Sequence, residues 1–300
     1  LASLGFSSAS GAVLNVTAVA PTADTHVTVW PTGAARPATS NLNITAGDTR
    51  AAMVTVPFGT DGAITLRNNS GDTDLIVDVV GAIGPIGDGL STMMTTAPSR
   101  LYDSRTPGAP IHAKETRTVP VTGTGTVPVG AKAVLVNVTA VDPSAPTHLS
   151  LWSGTLRPSG STLNVPAGET RANLALVPLA PDGKLRVFNN AGNTHVVLDV
   201  VGYLAQDGPE GFAGVPATRA LDTRRVGGSP LGPRAERSVT VAGVGGVPSD
   251  ATAVTVNLTG AGATAATHLT TWASGSPRPR ASTVNIGNGR TAANLAVVPI

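Results

Sequence analysis

The sequence predicts an all-β protein of tandem Greek-key-like β-sandwich domains, each of about seven strands. Three observations predict it. The strongest apolar runs alternate with period two, turn residues interrupt them at intervals of about 8–12 residues, and the pattern recurs about every 120 residues. No stretch combines a 3.6-residue apolar period with capping residues.

The repeat rests on many anchors. Asn15, Asn137 and Asn257 each sit in a Val/Leu-rich run ending in Thr, and His26, His148 and His268 follow at matching offsets, as do Trp30, Trp152 and Trp272. Asn43, Asn164 and Asn285 recur 121 residues apart, and so do Pro57, Pro178 and Pro299. Asp78-Val79-Val80-Gly81 returns as Asp199-Val200-Val201-Gly202. Units of this length bury a core of their own, whereas propeller blades and solenoid turns of about 20–50 residues are too short. The expectation is a string of independent domains.

Within the middle unit the elements follow in order. Thr116–Val121 opens it. In Ala133–Val141, Val134, Val136 and Val138 face one way while Leu135, Asn137 and Thr139 face the other. In the next run His148, Ser150 and Trp152 alternate with Leu149 and Leu151, and Ala172–Pro178 and His195–Tyr203 keep the same period. Turn signals separate them at 143–146, Pro158-Ser159-Gly160, Pro181-Asp182-Gly183 and 189–192. Turn residues also crowd Gly87–Ser99 and Gln206–Ala217, which read as linkers.

The expected units are therefore 1–86, 98–205 and 216–300, with the middle one complete. The first lacks an opening strand. The third stops in register with Leu179 and lacks counterparts of Lys184–Phe188 and His195–Tyr203. Open edges of this kind invite pairing, and the expectation is that the polypeptide continues past both ends with the same period. Residues 98–205 alone are expected to fold cooperatively.

Composition excludes several functions. Cys is absent, so disulfide frameworks, thiolate metal sites and thiol nucleophiles are impossible. Charged residues are 13% and apolar residues 41%, which is not a disordered profile. A net charge of +2 over 300 residues is too thin for a phosphate-binding surface, so nucleic acid is not an expected partner. No run reaches the roughly 18 apolar residues of a membrane helix. No His-x-x-x-His or His-Glu-x-x-His spacing and no Gly-x-Ser-x-Gly elbow occurs. Gly243–Gly246 lacks the strand–turn–helix setting of a phosphate loop. A non-enzymatic protein without cofactor or metal is expected.

Three sets of residues stand out as candidates. His26 and Trp30, His148 and Trp152, and His268 and Trp272 lie opposite the Val/Leu side of one strand. That face caps a sheet, packs against a neighbouring domain or subunit, or stacks a sugar. Asn15, Asn137 and Asn257, with Asn43, Asn164 and Asn285, are poor strand formers placed in strands. Their amides are expected to bond an adjacent strand or bulge. Asp103 with Arg105, and Asp222 with Arg224, project to one side of an extended segment. They read as structural clamps, with Arg105 reaching Asp199 and, by the repeat, Asp78 in the corresponding place.

The run Val134–Val141, the strand at 147–152, the stretch Leu163–Leu174, Asp199–Tyr203 and Arg219–Arg224 together resemble tandem repeats of secreted actinobacterial proteins. The resemblance spans nearly the whole chain. It implies an extracellular or cell-surface location and no catalytic activity. In a bacterial chain the Asn-x-Thr and Asn-x-Ser sequons at Asn15, Asn43, Asn68, Asn137 and Asn257 are coincidental. The function expected is that of an extracellular structural repeat protein, whether array, stalk or filament component, partnered by copies of itself or neighbouring repeats. The alternative is a set of glycan-binding modules accessory to a secreted hydrolase, with cell-wall or environmental glycans as partners.

Overall fold

In the computed structural model, which describes residues 9–59, 62–84, 91–106, 108–205, 218–225 and 228–300, every named element is a strand. The first unit holds β1 (Gly11–Val19), β2 (Thr25–Pro31), β3 (Leu42–Ile44), β4 (Thr49–Pro57), β5 (Ile64–Asn68) and β6 (Asp74–Ile83). The middle unit holds β7 (Thr92–Asp103), β8 (Thr116–Pro120), β9 (Ala133–Val141), β10 (Thr147–Trp152), β11 (Leu163–Val165), β12 (Arg171–Pro178), β13 (Lys184–Asn189) and β14 (His195–Ala205). The third holds β15 (Ala253–Gly260), β16 (Thr267–Leu269), β17 (Val284–Ile286) and β18 (Ala292–Pro299).

The middle unit shows the complete architecture. Two four-stranded antiparallel sheets, β12-β9-β14-β7 and β11-β10-β13-β8, face each other. Alternation supplies their shared core: Val134, Val136 and Val138 from β9 meet Leu149, Leu185 and Leu198. Strands that pass in this order between two sheets make an eight-stranded jelly roll, two Greek keys in one sandwich. A bulge near Gly202 bends β14. A Cβ at that position would lie 2.7 Å from the Met94 carbonyl oxygen, so glycine is required there.

The strand beyond the expected seven is β7. It begins at Thr92, inside the stretch read as a linker, so a boundary at 98 falls within a strand. Short polar residues and Pro98 hide it, because they do not alternate with apolar ones. Residues 85–90 and 206–217, the rest of the two linkers, lie outside the described residues.

The outer units differ from the middle one in an instructive way. Sheets β4-β1-β6 and β3-β2-β5 reproduce β12-β9-β14 and β11-β10-β13. What the first unit lacks among its described residues are counterparts of β7 and β8, the edge strands, so the remainder still forms. Its β6 is left uncovered: Ile76 and Val79 are each 51% exposed, whereas the matching Val197 and Val200 are buried. Among its described residues the third unit has the pairs β15-β18 and β16-β17, matching β9-β12 and β10-β11. Counterparts of β13 and β14 are missing among its described residues. In the middle unit those strands are interior, joining β7 to β9 and β8 to β10. Residues 218–225 and 236–241, which match the end of β7 and β8, accordingly form no strand.

The units are not beads on a string. Leu174 of β12, Met53 of β4 and Leu295 of β18 occupy the same repeat position, and all three are buried in one cluster with Val13, Leu135, Val201 and Val297. Strands β4, β12 and β18 each touch the other two. The first, middle and third units therefore close a ring about a pseudo-threefold axis. This corrects the expectation of independent domains. It also explains why β1 and β9 are buried on both faces, which a one-faced sandwich strand is not.

Candidate functional site

The seams between units collect most of the polar residues that the repeat singles out. Asn15 Nδ2 donates to the Ser161 carbonyl at 2.9 Å, Asn137 Nδ2 to the Ser282 carbonyl at 2.6 Å, and Asn257 Nδ2 to the Ser40 carbonyl. Each bond crosses to the next unit, and the third returns to the first. The amides thus join neighbouring units, where an adjacent strand or bulge was expected. The second Asn set acts at the same three serines. Asn43, Asn164 and Asn285 each donate through Nδ2 to the hydroxyl of Ser40, Ser161 or Ser282, at 3.1, 2.9 and 3.2 Å. They fix the loop whose carbonyl is the acceptor.

Two further asparagines went unnoticed in the sequence. Asn173 donates to Asn15 Oδ1 at 3.2 Å and to the Thr162 carbonyl at 2.8 Å, and accepts from the Met53 amide at 3.1 Å. Asn294 repeats this with Asn137 Oδ1 at 2.9 Å, the Thr283 carbonyl at 2.7 Å and the Leu174 amide at 3.0 Å. Both lie 121 residues apart, which was the available signal; the first unit breaks the series with Ala52. The third seam is accordingly weaker, and Asn257 is exposed where Asn15 and Asn137 are buried.

Charges line the same seams. Arg171 reaches from the middle unit to Asp48 of the first at 2.5 Å, and to its own Glu169 at 2.8 Å. Arg50, its counterpart, donates to the Thr291 carbonyl of the third unit at 3.2 Å. The residue matching Asp48 there is Arg290, so a cation stands where an anion would complete the seam. Burial pushes the Arg50 guanidinium down to about 10; repulsion from Arg171 adds to the fall, Asp48 and Glu169 oppose it, and Arg290 adds a further push. Replacing Arg290 by Asp is expected to restore the pattern and raise stability by about 1 kcal/mol. A thermal melt of R290D that shifts downward would contradict this.

The Asp–Arg clamps form, with one change of partner. Arg105 Nη2 pairs with its own Asp103 at 2.7 Å, and Arg224 Nη2 with Asp222 at 2.8 Å. Asp199 is met by Arg100, Nε to Oδ1 at 2.5 Å, and not by Arg105, which turns back to Asp103 beyond the end of β7. Burial pushes the Asp199 carboxyl up, and its Arg100 bond opposes that. Hydrogen bonding from Arg105 holds Asp103 at about 2, below its ordinary 3.8. The Asp103 contribution to stability is therefore full above pH 3.8 and lost as pH falls towards 2. Carboxyl carbon shifts followed by NMR between pH 5 and 1.5 should show Asp103 titrating well below 3.8, and a midpoint at the ordinary value would contradict the clamp. Asp78, the counterpart of Asp199, stands opposite Asn15 in the register of β1 and β6.

The His/Trp face is less uniform than its sequence. Val27, Val29, Leu149 and Leu151 point into the sandwich cores, as alternation requires. On the other side Trp152 is only 8% exposed and its Nε1 has no hydrogen-bond partner among the described residues. Nearby, the Arg157 guanidinium lies 3.8 Å over the Phe188 ring, and the His148 ring is 6.3 Å from Phe188. Trp30 is half-buried and donates to the Ala34 carbonyl at 3.2 Å. Trp272 lies past the end of β16, and His268 is exposed. Burial lowers the His26 and His148 pKa values, with Arg67 adding to the first and Arg157 and Lys114 to the second; both imidazoles are neutral at pH 7. Among the described residues no three His, Cys, Asp or Glu side chains gather to hold a metal ion, and no helix is long and apolar enough to cross a membrane.

No family model matches the chain, and no curated protein matches it. Among solved structures, one described as infectious bursal disease virus, Gx strain, is similar over 68% of this chain at 9% identity and a TM-score of 0.18. The match spans 60% of that viral chain, and a likeness so slight says nothing further about this one.

Proposed function

We propose that the chain is a non-enzymatic structural repeat protein of the cell exterior, working as one rigid ring of three units. The observation that carries this reading is the shared core of Met53, Leu174 and Leu295. The repeated polar residues serve the joints around it: Asn15, Asn137 and Asn257 tie unit to unit. The exterior location rests on the resemblance to secreted actinobacterial repeats. A glycan-binding role needs open aromatic faces, and the buried Trp152 ring offers none in the middle unit.

Electron microscopy of the producing cells, with antibody against the purified chain, tests the proposal. Label on the cell surface in ordered arrays or filaments is the expected result. Label confined to the cell interior would refute it. Strong retention on a cell-wall polysaccharide column, lost in a Trp30→Ala variant, would favour glycan binding instead.

A further inference from the structure

We propose that the seam between the third and first units seats a small free carboxylate ion between Arg50 and Arg290. The seam between the first and middle units is the template. There Arg171 grips the Asp48 carboxylate of its neighbour with two parallel bonds, Nη1 to Oδ1 at 3.1 Å and Nη2 to Oδ2 at 2.5 Å. Such fork-on-fork pairing is among the strongest ways a guanidinium holds an anion. Arg50 occupies the Arg171 position in the repeat, and Arg290 stands in the place of Asp48. The cation of the template is present at this seam, and its anion is not.

The remaining groups suit an anion from outside the chain. Arg50 Nη1 donates to the Asn43 and Thr291 carbonyls, each at 3.2 Å, and Arg290 Nη1 donates to the Thr45 hydroxyl at 3.4 Å. These bonds cross between the same two short stretches, so both guanidinium groups share one seam. The carboxylates at this end of the ring, Asp48 and Glu169, are both taken by Arg171. Arg171 and Arg290 repel the Arg50 charge while Asp48 and Glu169 attract it, so the cluster holds one positive charge in excess. A single monoanion balances it. Arg290 is exposed and Arg50 partly buried. An ion can therefore enter from the Arg290 side and meet Arg50 where water screens the attraction less. The seam is already closed by its own bonds, which favours a small ion over the side chain of a partner protein.

The test titrates labelled acetate into the full chain at pH 7 and constant ionic strength. The amide NMR shifts of Thr45 and Thr291 should move together and saturate. Arg290→Met should weaken binding roughly fivefold or more, and Arg290→Asp, which brings its own carboxylate, should abolish it. Both variants change an exposed side chain, and circular dichroism should show the β fold retained. N-acetyl-aspartate N-methylamide should bind no more tightly than acetate. Shifts that never saturate, or equal affinity in the parent chain and Arg290→Met, would overturn the assignment. Tighter binding of the blocked aspartate would give the seat to a partner's side chain and overturn the free ion. Inorganic phosphate binding tenfold more tightly than acetate would overturn the carboxylate.

Discussion

Replacing Leu174 by Ala is expected to destabilise all three units together, by about 3–5 kcal/mol, the range for emptying a well-packed Leu site. Leu174 is buried beside Met53 and Leu295, so the cavity would open at the axis where no single unit can relax around it. Segment-resolved hydrogen exchange in denaturant checks this. Protection in Gly11–Val19, Ala133–Val141 and Ala253–Gly260 should fall to a common lower midpoint. Loss restricted to the middle unit would mean that the ring is not a cooperative body.

The second large effect is expected at Asn173. Its replacement by Ala removes partners from the Met53 amide, the Thr162 carbonyl and Asn15 Oδ1 at once, all at a buried seam. Leaving such groups unpaired costs about 1–3 kcal/mol apiece before relaxation, and a net loss of about 3 kcal/mol is expected. Equilibrium unfolding gives the number. An Asn15→Ala, Asn173→Ala double-mutant cycle gives the coupling across the seam, which should be well above zero. Two additive single effects would place the bond outside the energetics of the ring.

Much of this fold is legible in the sequence, and the illegible part has one physical origin. Period-two alternation in Ala133–Val141 assigns Val134, Val136 and Val138 to a core, and they line one. The opposite face, Leu135, Asn137 and Thr139, mixes polar with apolar residues, so alternation alone does not say what covers it. It is buried at a seam, where Asn137 finds its acceptor at Ser282, 145 residues away. Nothing local in a sequence announces a partner at that distance. The same holds for Asn173 and Asn294, whose spacing marks them as repeated but not as bridging. Strand β7 was hidden for a different reason. An edge strand that pairs along one side needs little apolar alternation, and Pro98 is tolerated there. The clamp at Asp103 and Arg105 was visible as a pair, but sequence order could not tell Arg100 from Arg105 as the partner of Asp199, because the choice depends on where β7 ends.

The ring also sets a timetable during synthesis. Met53 and Leu174 emerge from the ribosome well before Leu295, which follows Leu174 by 121 residues. At about 5–20 residues per second, that interval lasts roughly 6–24 s, ample for each sandwich to close but with the axis still short of its third side chain. For that time the inward faces carrying Val13, Met53, Leu135 and Leu174 stand as a half-made apolar surface on a tethered nascent chain. Holding that surface apart from its neighbours on the same message is a task for whatever meets the chain at the tunnel exit, and slowing translation between Leu174 and Leu295 would lengthen it.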